Sequence, residues 1–163
     1  MMALWPQSGK ATTLNELKVE VRVVDFLQDP PRGRTPVAIV YDPQIRASFD
    51  DAIAMFIHLQ DQRDGGKAQL FPILTDVRAL AERPDVRIGF IAQGMEQHYG
   101  HIFDYARDHH MLTISADLGC VRKAQCMVGV AGAPRVEVII SQQAASAGGI
   151  AFTEAFRMMV TEN

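Results

Sequence analysis

The chain has 163 residues, of which 48% are hydrophobic and 21% charged, with a formal net charge of -3. That length suits one domain, since domains most often hold about 100–150 residues, and the composition is that of a globular protein. The charge is mixed in sign and forms no basic stripe, so nucleic acid is not expected as a partner. Apolar runs are far shorter than the ~20 residues a membrane-spanning helix needs.

Residues 1–15 read as a mobile lead-in and residues 16–163 as a single domain. Between Met1 and Asn15 no charged segment precedes an apolar one, so no secretory signal is read there. The chain is then either cytosolic or lacks a removed signal. Leu17, Val19, Val21 and Val23 alternate with Lys18, Glu20 and Arg22, which predicts a strand with one solvated face. Asp29-Pro30-Pro31-Arg32-Gly33 breaks it, and Val37 to Tyr41 is apolar throughout, as in a strand covered on both faces.

Ser48 with Asp51 three residues later suggests a helix start related to the capping box. Phe49, Ile53, Phe56 and Ile57 form an apolar stripe at helical spacing, expected to face the core. Gly65-Gly66 is read as closing that helix. Gln69 to Leu74 follows as a strand that Pro72 assigns to an edge. A short helix from Thr75 ends by Pro84, Val86 to Ile91 is a strand, and Met95, Tyr99, Ile102, Phe103 and Ala106 mark a helix to about His109. Met111 to Ser115, Met127 to Val130 and Val136 to Ile140 are further strands; the last two flank the turn sequence Ala131-Gly132-Ala133-Pro134-Arg135. The expected fold is α/β: a single-domain three-layer sandwich with a mostly parallel, mixed sheet and a C-terminal antiparallel hairpin.

No catalytic signature is found. Gly65-Gly66 and Gly148-Gly149 lack a phosphate-loop pattern, and Ser48, Ser115 and Ser141 lack a nucleophile elbow. The chain is therefore expected not to be an enzyme and to need no cofactor. His98 and His101 could converge on one helix face, but a solvated face explains them more simply, and no metal site is assigned. Cys120 and Cys126 are the only cysteines, close enough for a short loop to bridge, the alternative being two free thiols. A disulfide would imply an oxidising compartment and so favour the chain whose signal has been removed. In an open parallel sheet ligands sit beyond the carboxyl ends of strands. Those ends carry Tyr41, Asp42, Gln93, Ser115 and Asp117, the candidate contacts for a small polar ligand, although Asp42 and Asp117 also suit plain strand ends.

The stretch from Met111 to Met159 resembles the C-terminal part of YfiR-like proteins, small bacterial periplasmic regulators. Leu112-Thr113-Ile114-Ser115, the Met-led strand at Met127, Val136-Glu137-Val138, Ala144-Ala145 and Gly149-Ile150-Ala151-Phe152 carry the resemblance. It implies a periplasmic, dimeric regulator that acts by contact with a membrane signalling protein or its sensor domain, such as a diguanylate cyclase. Two departures stand out. Residues 17–26 read as a strand where that family has an apolar helix ending in Trp-Pro, and Gln125-Cys126-Met127 replaces Gly-Gly-Met. Pro36 to Pro43 is similar to a segment in one lobe of ABC-transporter substrate-binding proteins, which gives the alternative of a small-ligand receptor.

Overall fold

The computed structural model describes residues 11–61 and 68–163. The reading of Gly65-Gly66 and most of the N-terminal lead-in lie outside these residues. Helix α1 spans Leu14–Val23. Strand β1 (Gly33–Tyr41), helix α2 (Arg46–Asp61) and strand β2 (Ala68–Asp76) follow. Next come β3 (Ile88–Ile91), α3 (Tyr99–His109), β4 (Leu112–Ser115) and the short α4 (Leu118–Arg122). The chain closes with β5 (Val128–Ala131), β6 (Glu137–Ile140), α5 (Gln142–Ala147), α6 (Glu154–Met159) and β7 (Thr161–Glu162).

The strands form one seven-stranded sheet in the order β2-β1-β3-β4-β5-β6-β7. Only β5 and β6 pair antiparallel, with Val128 opposite Ile140 and Ala131 opposite Glu137. Val37 to Val40, Ile88 to Ile91 and Leu112 to Ser115 are buried along their whole length, as expected for strands with helices on both faces. This is the mixed α/β sheet that the sequence pattern predicts. β2 lies at one edge, where Pro72 is tolerated because an edge strand has an unpaired side.

Two readings of the pattern are corrected. The alternation from Leu17 to Val23 is a helix, not a strand. Its buried residues are Glu16, Leu17, Glu20, Val21 and Val23, which follow helical spacing. Thr13 and Glu16 complete a reciprocal capping box: Thr13 Oγ1 accepts from the Glu16 amide at 3.1 Å, and Glu16 Oε2 accepts from the Thr13 amide at 3.2 Å. That local start signal outweighs the β preference of three valines.

The second correction concerns α2. Its inward face is Ser48, Asp51, Ala52, Met55 and Leu59, whereas Phe49 is 39% and Ile57 52% exposed. Ser48 and Asp51 do not cap the helix, which begins at Arg46. Ile53 and Phe56 of the expected stripe are half-buried, and Phe56 packs against the edge of the core. Tyr41 leans on Phe49 at the same surface, ring centroids 6.1 Å apart.

The segment after α1 meets the segment around the start of α6. Leu27 bridges Phe152, the Thr153 amide donates to Phe26 O at 2.9 Å, and the Phe26 and Phe156 rings stack at 4.6 Å. Cys120 and Cys126 are joined in a disulfide with Cα atoms 5.2 Å apart. No helix among the described residues is long and apolar enough to cross a membrane.

Candidate functional site

The strand order reverses between β1 and β3, which makes their carboxyl ends the expected crevice. Asp42, directly after β1, is only 1% exposed. The Arg78 guanidinium grips it two-handed, Nη1 donating to Oδ1 at 2.9 Å and Nη2 to Oδ2 at 3.2 Å. His98 Nε2 donates to Oδ2 at 2.7 Å and the Gln44 amide to Oδ1 at 2.9 Å. The Arg78 bonds, then those of His98 and Gln44, outweigh burial and hold the Asp42 carboxyl well below the usual carboxylate range. Its own amide donates to Ser48 Oγ at 3.0 Å. The site of a charged ligand contact is thus filled by the protein's own cation.

A second carboxylate, Asp51 on α2, lies beside the β3 end. It accepts from the Gln93 amide and from both the amide and the hydroxyl of Thr12, each at 2.9 Å. Burial raises its pKa against the pull of these donors. Behind it, Glu20 is fully buried and neither carboxyl oxygen has a hydrogen-bond partner among the described residues. Burial first, then Asp51 and Glu16, push the Glu20 pKa well above its ordinary value.

At the β4 end, the Tyr99 hydroxyl donates to Asp117 Oδ2 at 2.6 Å. Asp117 Oδ1 also accepts from the Gly119 amide at 2.9 Å and so caps α4, while the Asp117 amide donates to Ser115 Oγ at 3.0 Å. Burial and the Asp117 carboxylate raise the Tyr99 pKa, so its proton stays on the phenol.

Of the five candidates, Gln93, Ser115 and Asp117 line one crevice with Thr12 and Glu96, a cavity of about 100 Å³. Tyr41 and Asp42 do not come to that wall; Tyr41 belongs to the α2 surface and Asp42 to the Arg78–His98 network. Sequence reasoning missed Arg78, Glu20 and the inward role of Asp51. It also put His98 on a solvated face, yet the side chain is 17% exposed and bonded to Asp42, while His101 is exposed. The available signal was the strand-end rule itself: Arg78 follows β2 as Asp42 follows β1, so both belong to one end of the sheet. Among the described residues no group of three or more His, Cys, Asp or Glu side chains is arranged to hold a metal ion.

The architecture is that of an open, mostly parallel α/β sheet. No family model and no curated protein sequence matches this chain. Among solved structures, it is similar to a conserved domain protein from Vibrio cholerae O1 biovar El Tor, at a TM-score of 0.64 and 11% identity over 90% of this chain. It is also similar to an ABC domain in complex with L-Trp from Streptococcus pneumonia, at 0.60 and 8% identity over 90% of the chain. The match spans 59% of the first of those proteins and 61% of the second. At such identities the likeness is one of fold.

Proposed function

We propose that this chain is a non-catalytic regulatory binding protein, YfiR-like in its role. It acts outside the cytoplasm by contact with a membrane signalling protein such as a diguanylate cyclase, and it works as a homo-oligomer. One observation carries the reading: α2 leaves the large apolar side chains of Phe49 and Ile57 exposed, with Phe49 against the Tyr41 ring. Large apolar side chains gathered on one outer face suit a protein–protein contact. The disulfide supports an oxidising compartment. The segment Leu14–Val23 is a helix, as that family has there, although it does not end in Trp-Pro. Capture from an envelope extract, compared between the native chain and Ile57→Asp, tests the proposal. The native chain is expected to recover a membrane signalling protein that the variant loses. Recovery of soluble metabolic enzymes alone, or the same partner by both, would sink it.

The similarity to a domain in complex with L-Trp favours a second reading, a small-ligand receptor using Gln93, Ser115 and Asp117. The crevice of about 100 Å³ is smaller than the roughly 300–1,000 Å³ of ordinary ligand pockets, so its ligand would be smaller than L-Trp unless Thr12 moves aside. Thermal shift decides it: a ligand at about 100 times its dissociation constant adds ~2.7 kcal/mol. A library of small polar molecules that produces no shift removes this reading.

A further inference from the structure

A second cavity lies at the opposite end of the sheet. The amino ends of β1, β3 and β4 frame a space of about 530 Å³, in the size range of small-molecule sites. Its apolar walls are Leu27, Pro31, Pro36, Ile88, Leu112 and Ile150. Three polar features of the rim decide what such a cavity would accept.

His110 is the first. It adopts a left-handed backbone conformation, φ 54°, which few non-glycine residues do. Gly149, φ 69°, gives its ring room; a Cβ there would stand 3.0 Å from His110 Nδ1. Nδ1 is 2.8 Å from Gly148 O, and a carbonyl oxygen only accepts, so Nδ1 carries the proton. In the neutral ring Nε2 is then a hydrogen-bond acceptor on a side chain that lines the cavity.

Asp29 and Asp85 are the second feature. Both line the rim, and neither carboxylate has an ion-pair partner among the described residues. Arg87 is the third, and the rim's one arginine is turned aside, its Nη1 donating to Pro84 O at 2.5 Å. Two carboxylates and an imidazole acceptor thus share the lining with one guanidinium that is already engaged. The rim is acceptor-rich and net negative, over a hydrocarbon floor.

We infer that this amino-end cavity is a binding site for a small apolar primary amine, its ammonium at the Asp29–Asp85–His110 rim and its hydrocarbon body on Ile88, Leu112 and Ile150. The site is separate from the carboxyl-end crevice and does not depend on the function proposed above. Carboxylates on an exposed rim give modest affinity that falls with salt.

Calorimetric titration of the full chain with 2-phenylethylamine, 2-phenylethanol and 3-phenylpropanoate tests this, because the three share a body and differ in head group. The amine is expected to bind about ten-fold more tightly than the carboxylate, with the alcohol between them. The double variant Asp29→Asn, Asp85→Asn should bring amine and alcohol together, and Ile150→Trp should abolish all binding by filling the floor. Equal or tighter binding of the carboxylate overturns the ligand class. Saturable binding of none of the probes, or amine binding unchanged in both variants, overturns the site. If Ile150→Trp does not fold, the double variant, altered only at exposed positions, decides alone.

Discussion

The two ends of the sheet are built on opposite plans. At the carboxyl end polar side chains are abundant but already paired: Asp42 with Arg78 and His98, Asp51 with Thr12 and Gln93, Asp117 with Tyr99. At the amino end polar groups are few, but two carboxylates and an imidazole nitrogen keep unused capacity beside a cavity about five times larger. A fold's usual ligand position is therefore only a prior. What accepts a ligand is leftover hydrogen-bonding capacity next to space.

The contrast can be broken at several points. The largest effect is expected from Asp42→Ala, which strips the acceptor from Arg78, His98 and the Gln44 amide and should lower stability by about 3 kcal/mol in urea melts. Its pH dependence has a definite sign. The Asp42 pKa is depressed in the folded state, so its stabilisation is present above the ordinary carboxylate value of about 4 and lost as pH falls. The variant should therefore differ most from the native chain at neutral pH and least in acid.

Next in size is the disulfide. Replacing Cys120 and Cys126 by serine reopens a short loop, at a cost of about 2 kcal/mol. Hydrogen exchange should rise in residues 117–126, at the β4 end, and stay unchanged in residues 148–151 beside the amino-end cavity. Equal change in both segments would mean that the ends are not independent.

Glu20→Leu is expected to stabilise by about 1–2 kcal/mol at pH 8, since it removes a buried carboxyl with no hydrogen-bond partner among the described residues. Here the sign reverses. The Glu20 pKa is raised on folding, so its penalty is absent below the unfolded value of about 4.3 and grows as pH rises towards the folded value. Melts at pH 5 and pH 8 should show the larger gain at the higher pH (both values chosen to lie above the unfolded pKa). The smallest effect belongs to Asp29→Asn with Asp85→Asn. These exposed carboxylates are not part of the fold's hydrogen bonding, so the urea midpoint should not move.

The sequence made the sheet legible because buried parallel strands are continuous apolar runs, as in Val37 to Val40 and Ile88 to Ile91. Pro72 told the edge and the Gly-Pro turn told the hairpin. Helix α1 was hidden because its valines fall at alternate positions, where strand and helix patterns coincide over so short a span; only Thr13 and Glu16 distinguished them. On α2 the stripe rule chose the wrong face, since hydrophobicity alone cannot tell a core from an outward apolar surface. The strand-end rule pointed to Tyr41, Asp42, Gln93, Ser115 and Asp117, of which Gln93, Ser115 and Asp117 line one crevice. Applied to β2 it also places Arg78 at that end, but not its pairing with Asp42. Such pairings depend on the order of strands in space, which local pattern does not encode.

The stacking of Phe26 on Phe156 and the bridge from Leu27 to Phe152 have a consequence for how the protein is made. A nascent chain can form β1, β3 and β4 while the ribosome still holds the segment that completes them, because closing contacts over so long a sequence interval is slow. Until Gly149, Ile150 and Ala151 emerge, the amino-end cavity lacks part of its wall, and until Phe156 emerges the Phe26 ring lacks its stacking partner. Late in synthesis the young molecule therefore carries a greasy, half-built end, the part a chaperone would be expected to hold.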